Sequence, residues 1–287
     1  MKLHSVLVMP NYKKQGTADV VRRVLTWAGA HDIRVLVLQE HARRIPAVFH
    51  ENVTTLTSRN EKKLLADCSL VLTIGGDGTL IRGAAYAAKY QIPITGVNTG
   101  TLGFLADIYP RETEDKLERL LQGDCAREVR SGISASWEGG SVGMALNDIV
   151  LIKTSKGGLC GVMVYFGDEL VGRYRADGLI VTTPTGSTGY SYTAGGPIIH
   201  AGADVIGITP LCPQYRMNIP LVCAADRPIR IIPTQGSIHV AADGKAIATL
   251  KEGCEMRITK AKEQIELIRF ADAWGVIDWM ERVGRLG

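Results

Sequence analysis

The sequence predicts an α/β protein: an N-terminal domain built on a parallel sheet, a mostly β C-terminal domain, and a last helix returning to the first domain. Three observations carry this. Up to about residue 125, short apolar runs alternate with helix-period segments. From about Ala126 the chain turns to short apolar segments split by glycines, with no long helix-period stretch. Beyond about residue 270 helical periodicity returns. The expected domains are therefore 1–125 joined by 270–287, and 126–269.

Ser5–Met9, apolar from Val6 on, reads as a first strand. Ala18–Ala28 reads as a helix, because Val20, Val21, Val24, Leu25 and Trp27 recur at helical spacing; Thr17 is its expected N-cap and Gly29 its expected stop. Ile33–Leu38 is a second strand, Glu61–Ala66 a short helix, Leu70–Ile74 a third strand, Leu80–Ala88 a helix, and Ile92–Val97 a strand ending at Asn98. Strands that alternate with helices form parallel sheets, and ligands on such sheets sit beyond the carboxyl ends of the strands. A charged helix, Glu112–Leu121, is ended by Gly123. In the second domain the strands are expected at Ile133–Trp137, Met144–Ile152, Gly161–Phe166, Leu170–Tyr174, Gly178–Thr182, Val205–Thr209, Ile229–Ile232, Ile238–Val240 and Ile265–Ile268. Ala273–Arg285 is the returning helix.

Composition narrows the class. With 46% hydrophobic residues in 287, the chain can bury a sizeable core. A net charge of +4 without a dense Lys/Arg block argues against nucleic acid as the main partner and suits anionic ligands. The six cysteines include no C-x-x-C pair, which argues against a disulfide framework or zinc site and fits a reducing cytoplasm. No run of about 18 apolar residues is present, so no membrane-spanning helix is expected, and Met1–Pro10 reads as a strand and not a signal peptide.

Three patches carry chemistry. In Gly75-Gly76-Asp77-Gly78-Thr79, an apolar strand opens through glycines into a helix, where backbone N–H groups can face a phosphate. An acid inside such a cradle repels phosphate unless it takes a proton or holds Mg²⁺. The second patch, Asp177–Ile198, is dense in glycine and hydroxyls; Thr185, Ser187, Thr188, Tyr190 and Thr193 can bond a ribose or a purine edge, or cap a tight turn. The third is Asn147-Asp148, two polar residues inside an apolar strand; both can reach one ligand only at a bulge or a strand end. The standard nucleotide signatures are absent: Gly244-Lys245 is followed by Ala246, and after Gly76-Asp77-Gly78 the next glycine is Gly83, so neither a P-loop nor a dinucleotide fingerprint is present. Thr185 stands where a nucleophile elbow needs glycine.

Together these patches resemble the NAD kinase family. The matching pieces are Gly75–Thr79, Asn98-Thr99-Gly100-Thr101-Leu102-Gly103-Phe104-Leu105, Asn147-Asp148, Asp177–Ile198, Thr209–Pro213, Asp243-Gly244 and the C-terminal helix, in order over nearly the whole chain. The resemblance implies ATP-dependent phosphorylation of the 2′-hydroxyl on the adenosine ribose of NAD. It implies Asp77 as the catalytic carboxylate and Gly75, Gly76, Gly78 and Thr79 as the ATP-phosphate cradle. Mg²⁺, or another divalent cation, would be carried on ATP with no protein-held metal. It further implies Phe104, Asn147, Asp148, Arg175, Asp177, Thr185, Thr188, Gly189, Tyr190 and Thr193 as NAD contacts, and a homodimer or homotetramer in the cytoplasm. Asp148 stands where the family usually has Glu, Gly189 where Ala is common, and Gln214 where His often follows Cys-Pro. The alternatives are a kinase of the same fold acting on a lipid or sugar hydroxyl, and a non-catalytic NAD(P)-binding regulator. The first lacks the apolar cleft a lipid needs; the second gains nothing from an acid beside phosphate.

Overall fold

Every strand pairing within the first part of the chain is parallel. The computed structural model describes residues 2–100, 103–106, 108–154, 158–215 and 219–270, at position 50 the backbone only. The chain divides into two compact units, Met1–Val129 with Ile265–Gly287, and Arg130–Gln264.

In the first unit the elements run β1 (Ser5–Pro10), α1 (Thr17–Ala30), β2 (Arg34–Leu38), α2 (Gln39–Ala42), a 3-10 turn at Ala47–Asn52, β3 (Val53–Leu56), α3 (Glu61–Ala66), β4 (Leu70–Gly75), α4 (Asp77–Tyr90), β5 (Ile94–Asn98), a 3-10 turn at Pro110–Glu112 and α5 (Thr113–Gln122). The sheet order is β3-β2-β1-β4-β5. The order reverses between β1 and β4, which makes their carboxyl ends the switch point where ligands of open α/β sheets settle. Register brings those ends level: Pro10 faces Ile74, and Gly75 faces Asn98. β1, β4 and β5 are buried throughout, and β1 and β4 are accordingly dominated by Val, Leu, Ile and Met.

Two expectations are corrected here. Thr17 is the first helical residue and not the cap; Gly16 holds the cap position at φ 78°, and the Thr17 hydroxyl donates to Asn11 O at 3.1 Å. Gly29 does not stop α1, which continues to Ala30; the reversal is taken by Asp32 at φ 53°. α5 ends as expected at Gly123, whose φ is 80°; Asp124 N donates to Arg119 O at 2.9 Å and Gly123 N to Leu120 O at 3.2 Å. The Arg23 guanidinium clasps the Glu114 carboxylate, and Trp27 Nε1 donates to Glu118 at 2.7 Å, so α1 and α5 are joined along one side.

The second unit is a β structure, as the texture change predicts. Its strands are β6 (Ala126–Trp137), β7 (Gly140–Ala145), β8 (Asp148–Lys153), β9 (Cys160–Phe166), β10 (Glu169–Ala176), β11 (Gly178–Thr182), β12 (Val205–Leu211), β13 (Leu221–Ala224), β14 (Ile229–Gln235), β15 (Ile238–Ala242), β16 (Lys245–Leu250) and β17 (Met256–Arg269). A 3-10 turn at Gly186–Thr188 and the short α6 (Tyr190–Thr193) interrupt them. One sheet has the order β13-β12-β11-β8-β15-β16; the other contains β10-β9-β14-β17, with β6 on β17 and β7 on β6. Between them lies one apolar core, including Ile149, Leu151, Val162, Val164, Val181 and Ile208. β17 begins in the second unit and ends in the first, where Leu267 pairs with Ile94. The expected helix Ala273–Arg285 lies outside the described residues.

Candidate active site

The glycine loop is shorter than the sequence suggests. β4 ends at Gly75 and α4 begins at Asp77, so Gly78 and Thr79 belong to the first helical turn instead of preceding it. The N–H groups offered there are those of a helix N-terminus, which carry no intrahelical partner and favour anions. None of Gly75, Gly76 and Gly78 has a positive φ. Their smallness is what matters. A Cβ on Gly75 would lie 2.2 Å from Thr79 Oγ1, whereas one on Gly78 would meet nothing within 4 Å. Gly75 is thus filled by its own helix, and Gly78 leaves the backbone open to a ligand. Thr79 is buried, its hydroxyl 3.5 Å from Asn11 Nδ2.

The Asp77 carboxylate turns toward the segment after β5. Phe104 N donates to Oδ2 at 2.7 Å, while Leu105 N and Ala106 N each donate to Oδ1 at 3.0 Å. A carboxylate offers about four acceptor positions, two on each oxygen. Both on Oδ1 are filled, and among the described residues one on Oδ2 stays open. Gly103 is required by the same arrangement, because its Cβ would fall 2.2 Å from Asp77 Oδ1. Asn98 folds this segment over: its Oδ1 accepts from Gly100 N at 2.9 Å. Phe104 therefore lies with Asp77, in the first unit. Thr101 and Leu102 lie outside the described residues.

A cavity of about 350 Å³ opens at the switch point, with Tyr12, Lys13, Glu40, His41, Arg44, Thr79 and Arg82 in its wall. Arg44 stacks over the Tyr12 ring at 4.9 Å, and the Tyr12 hydroxyl is buried without a hydrogen-bond partner. Burial holds the His41 imidazole below its usual range, so at neutral pH the positive charge comes from Lys13, Arg44 and Arg82.

In the second unit, β7 ends at Ala145 and β8 starts at Asp148, so the Asn147-Asp148 pair sits at the strand break that two neighbouring ligand contacts require. Asn147 Oδ1 is buried and has no partner. Asp148 is buried, and burial first, then the charge of Asp243, pushes its carboxyl up to about 7. The hydroxyl-rich loop packs on this break. Thr183 Oγ1 donates to Leu146 O at 2.6 Å, and a Cβ on Gly186 would lie 2.1 Å from Asn147 O. Gly189 stands next to the Asn147 side chain.

The two readings of these hydroxyls divide between residues. Ser187 is fully buried and bonded to Pro184 O at 2.7 Å and to Ile199 N at 2.9 Å, so its hydroxyl braces the turn and is not offered to a ligand. Thr188 and Thr193 donate locally at 3.3 and 3.5 Å, and Tyr190 and Thr193 are exposed. Thr185 is buried and accepts from Arg130 Nη1 at 3.2 Å. Arg130, a buried cation beneath this loop, was not singled out from the sequence, where it is one of three charges, with Arg127 and Glu128, at the start of β6. Arg175 and Asp177 sit at the opposite end of the antiparallel β8–β11 pair, where Lys153 Nζ approaches Asp177 at 2.5 Å.

Residues 6–125 match the ATP-NAD kinase N-terminal domain and residues 146–270 its C-terminal domain. The NAD kinase of Citrifermentans bemidjiense is 35% identical over 286 residues, covering 89% of this chain and 99% of its own. The chain belongs to the NAD kinase family. Its fold is that of solved NAD kinases. The yeast NADH kinase complexed with NADH superposes with a TM-score of 0.87 at 24% identity, covering 100% of this chain and 88% of that one. The Archaeoglobus fulgidus NAD kinase in complex with ATP gives 0.72 at 23%, covering 99% and 98%. Among the described residues no helix is long and apolar enough to cross a membrane, and no cluster of three or more His, Cys, Asp or Glu side chains could hold a metal ion.

Proposed function

We propose that this NAD kinase family member transfers the γ-phosphate of ATP to the 2′-hydroxyl of the adenosine ribose of NAD, with Asp77 receiving the hydroxyl proton. The observation that carries the reading is the Asp77 carboxylate, held by three N–H groups with one acceptor position open on Oδ2 among the described residues. The ribose oxygen forms a bond to the γ-phosphorus as the bond from that phosphorus to the bridging oxygen breaks. ADP leaves, and the proton passes to Oδ2. A carboxylate is a weak base, which suffices because phosphoryl transfer depends mainly on positioning and charge neutralisation.

The first unit would handle the donor. Gly76 and Gly78 give the phosphates access to backbone N–H groups, Gly75 and Thr79 keep that turn in shape, and Lys13, Arg44 and Arg82 place positive charge in the adjoining cavity. Mg²⁺ enters as part of the MgATP substrate. The second unit would hold NAD. Asn147 and Asp148 meet the ribose, and Thr185, Thr188, Gly189, Tyr190 and Thr193 surround the adenine. Arg175 and Asp177 meet the nicotinamide half. The two ends of β8–β11 are about 15 Å apart at ~3.3 Å per residue, a length suited to one extended dinucleotide. The working unit is proposed as a homodimer or homotetramer, and its compartment as the cytoplasm, the latter supported by six free cysteines.

The test is to incubate the purified protein with ATP, Mg²⁺ and NAD and to detect NADP with an NADP-specific dehydrogenase. NADP formation that Asp77→Asn removes, with NAD still bound, supports the reading. Absence of NADP from the wild-type protein overturns it.

A further inference from the structure

Asp243 sits outside every role assigned so far, yet it is bonded to the residues that would hold the ribose. It opens the two-residue Asp243-Gly244 turn between β15 and β16, with φ 46° at Asp243 and 76° at Gly244, the left-handed pair that such hairpin turns need. Its carboxylate accepts three backbone N–H groups from another strand connection: Leu146 N on Oδ2 at 2.7 Å, and Asn147 N and Asp148 N on Oδ1 at 2.8 and 3.2 Å. In return Asp243 N donates to Asp148 O at 3.0 Å. Four hydrogen bonds thus fix the backbone of a three-residue segment between β7 and β8. That segment ends in a buried carboxyl, Asp148, and carries a buried, unpartnered amide oxygen on Asn147, both unexplained by packing alone.

We propose that Asp243 is a positioning residue for the NAD site, holding the Leu146–Asp148 connection in the shape that presents Asn147 and Asp148 to the ribose. This rests on the assignment of those two residues to NAD. A hairpin turn needs only a residue tolerant of positive φ at this place, and Asn or Gly would serve. A carboxylate aimed at three N–H groups is more than the turn requires. Its charge also lies beside Asp148, where it disfavours a second negative charge. Lys245, the next residue after the turn, partly offsets the Asp243 charge.

The deciding variant is Asp243→Asn. It keeps the turn and the acceptor for Asn147 and Asp148, while placing an amide N–H against Leu146 N–H and removing the charge. The expected result is a KM for NAD raised at least tenfold, with kcat and the KM for ATP within about threefold. The pH at which the KM for NAD improves should also shift downward, because Asp148 no longer ionises beside a charge. An unchanged KM for NAD, or equal losses in kcat and both KM values, overturns the proposal. Should the variant fail to fold, amide hydrogen exchange on the wild-type protein decides: protected Leu146 and Asn147 amides support the clasp, and exchange at the rate of exposed amides refutes it. Asn147→Ala and Asp148→Asn serve as the reference. If neither alters the KM for NAD, the NAD assignment itself fails; if both do and Asp243→Asn does not, only the positioning role fails.

Discussion

An ideal Cβ on Gly103 would lie 2.2 Å from Asp77 Oδ1 and 2.8 Å from its Cγ: the carboxylate occupies the place of the missing side chain. The two residues are far apart in sequence and can only be chosen together. Gly103→Ala should therefore push the carboxylate off its three N–H donors. Misplacement of about 1 Å in a reacting group costs on the order of 10²-fold, so kcat should fall by about that much. NAD affinity should change little. Steady-state kinetics with calorimetric NAD binding checks both, and a near-normal kcat would show that the carboxylate position is unimportant.

Removing the carboxylate has a separable effect. Asp77→Asn should lower kcat by roughly 10²- to 10⁴-fold, the usual contribution of a positioned acid or base. Asp77→Ala should also lower the melting temperature, since hydrogen bonds to a charged acceptor contribute about 1.5–3 kcal/mol each and three are lost. A melting scan alongside the NADP assay distinguishes the two losses.

Two glycine substitutions should act on opposite substrates. Gly78→Ala adds a methyl group that meets nothing within 4 Å in a helical turn. Stability should hold or rise by up to about 1 kcal/mol, while the KM for ATP increases. Gly186→Ala places a methyl group 2.1 Å from Asn147 O. The loop must shift, so melting temperature should fall and the KM for NAD should rise. Equal effects on both substrates from either variant would contradict this division.

Asp148 predicts a pH dependence. Its carboxyl is pushed up to about 7, chiefly by burial, from an ordinary value near 3.9. The folded state therefore binds this proton more tightly than the unfolded state. The resulting stabilisation is complete below about pH 4, declines as pH rises, and is gone above about pH 7. Urea unfolding across that range should show wild type losing stability relative to Asp148→Asn, by a few kcal/mol at most. Activity runs the other way: an ionised Asp148 accepts ribose hydroxyls better, so the KM for NAD should fall as pH rises through 7.

Legibility followed burial. Strands covered on both faces, such as Leu70–Gly75 and Gly178–Thr182, stand out as unbroken apolar runs and were read within a residue. Val53–Leu56, Leu221–Ala224 and Lys245–Leu250 went unseen, and Gly140–Ala145 was caught only at its last two residues, merged with the strand that follows. Each of the first three is the last strand at one side of a sheet order, half exposed, with polar or small residues breaking the pattern. At the site, local chemistry was visible and long-range hydrogen bonding was not. Asp77 was conspicuous in its glycine loop, yet nothing in that loop announces donors on Phe104, Leu105 and Ala106. The single strand expected over Met144–Ile152 is split into β7 and β8 at Asn147-Asp148, the strand end that two contacts to one ligand require, and the carboxylate that clasps it belongs to Asp243. Fold lives in periodicity along the chain; the site depends on contacts that periodicity does not record.

The last strand has a consequence for how the protein is made. Its end lies beside β5, and Ile268 and Phe270 enter the same core as Leu117 and Leu120. A ribosome emits β1 to β5 first and this closing segment only after all of the second unit has emerged. The early half of the protein must therefore wait, with part of its apolar interior uncovered, until the contiguous second unit has been synthesised. That interval exposes the nascent chain to chaperone capture and aggregation.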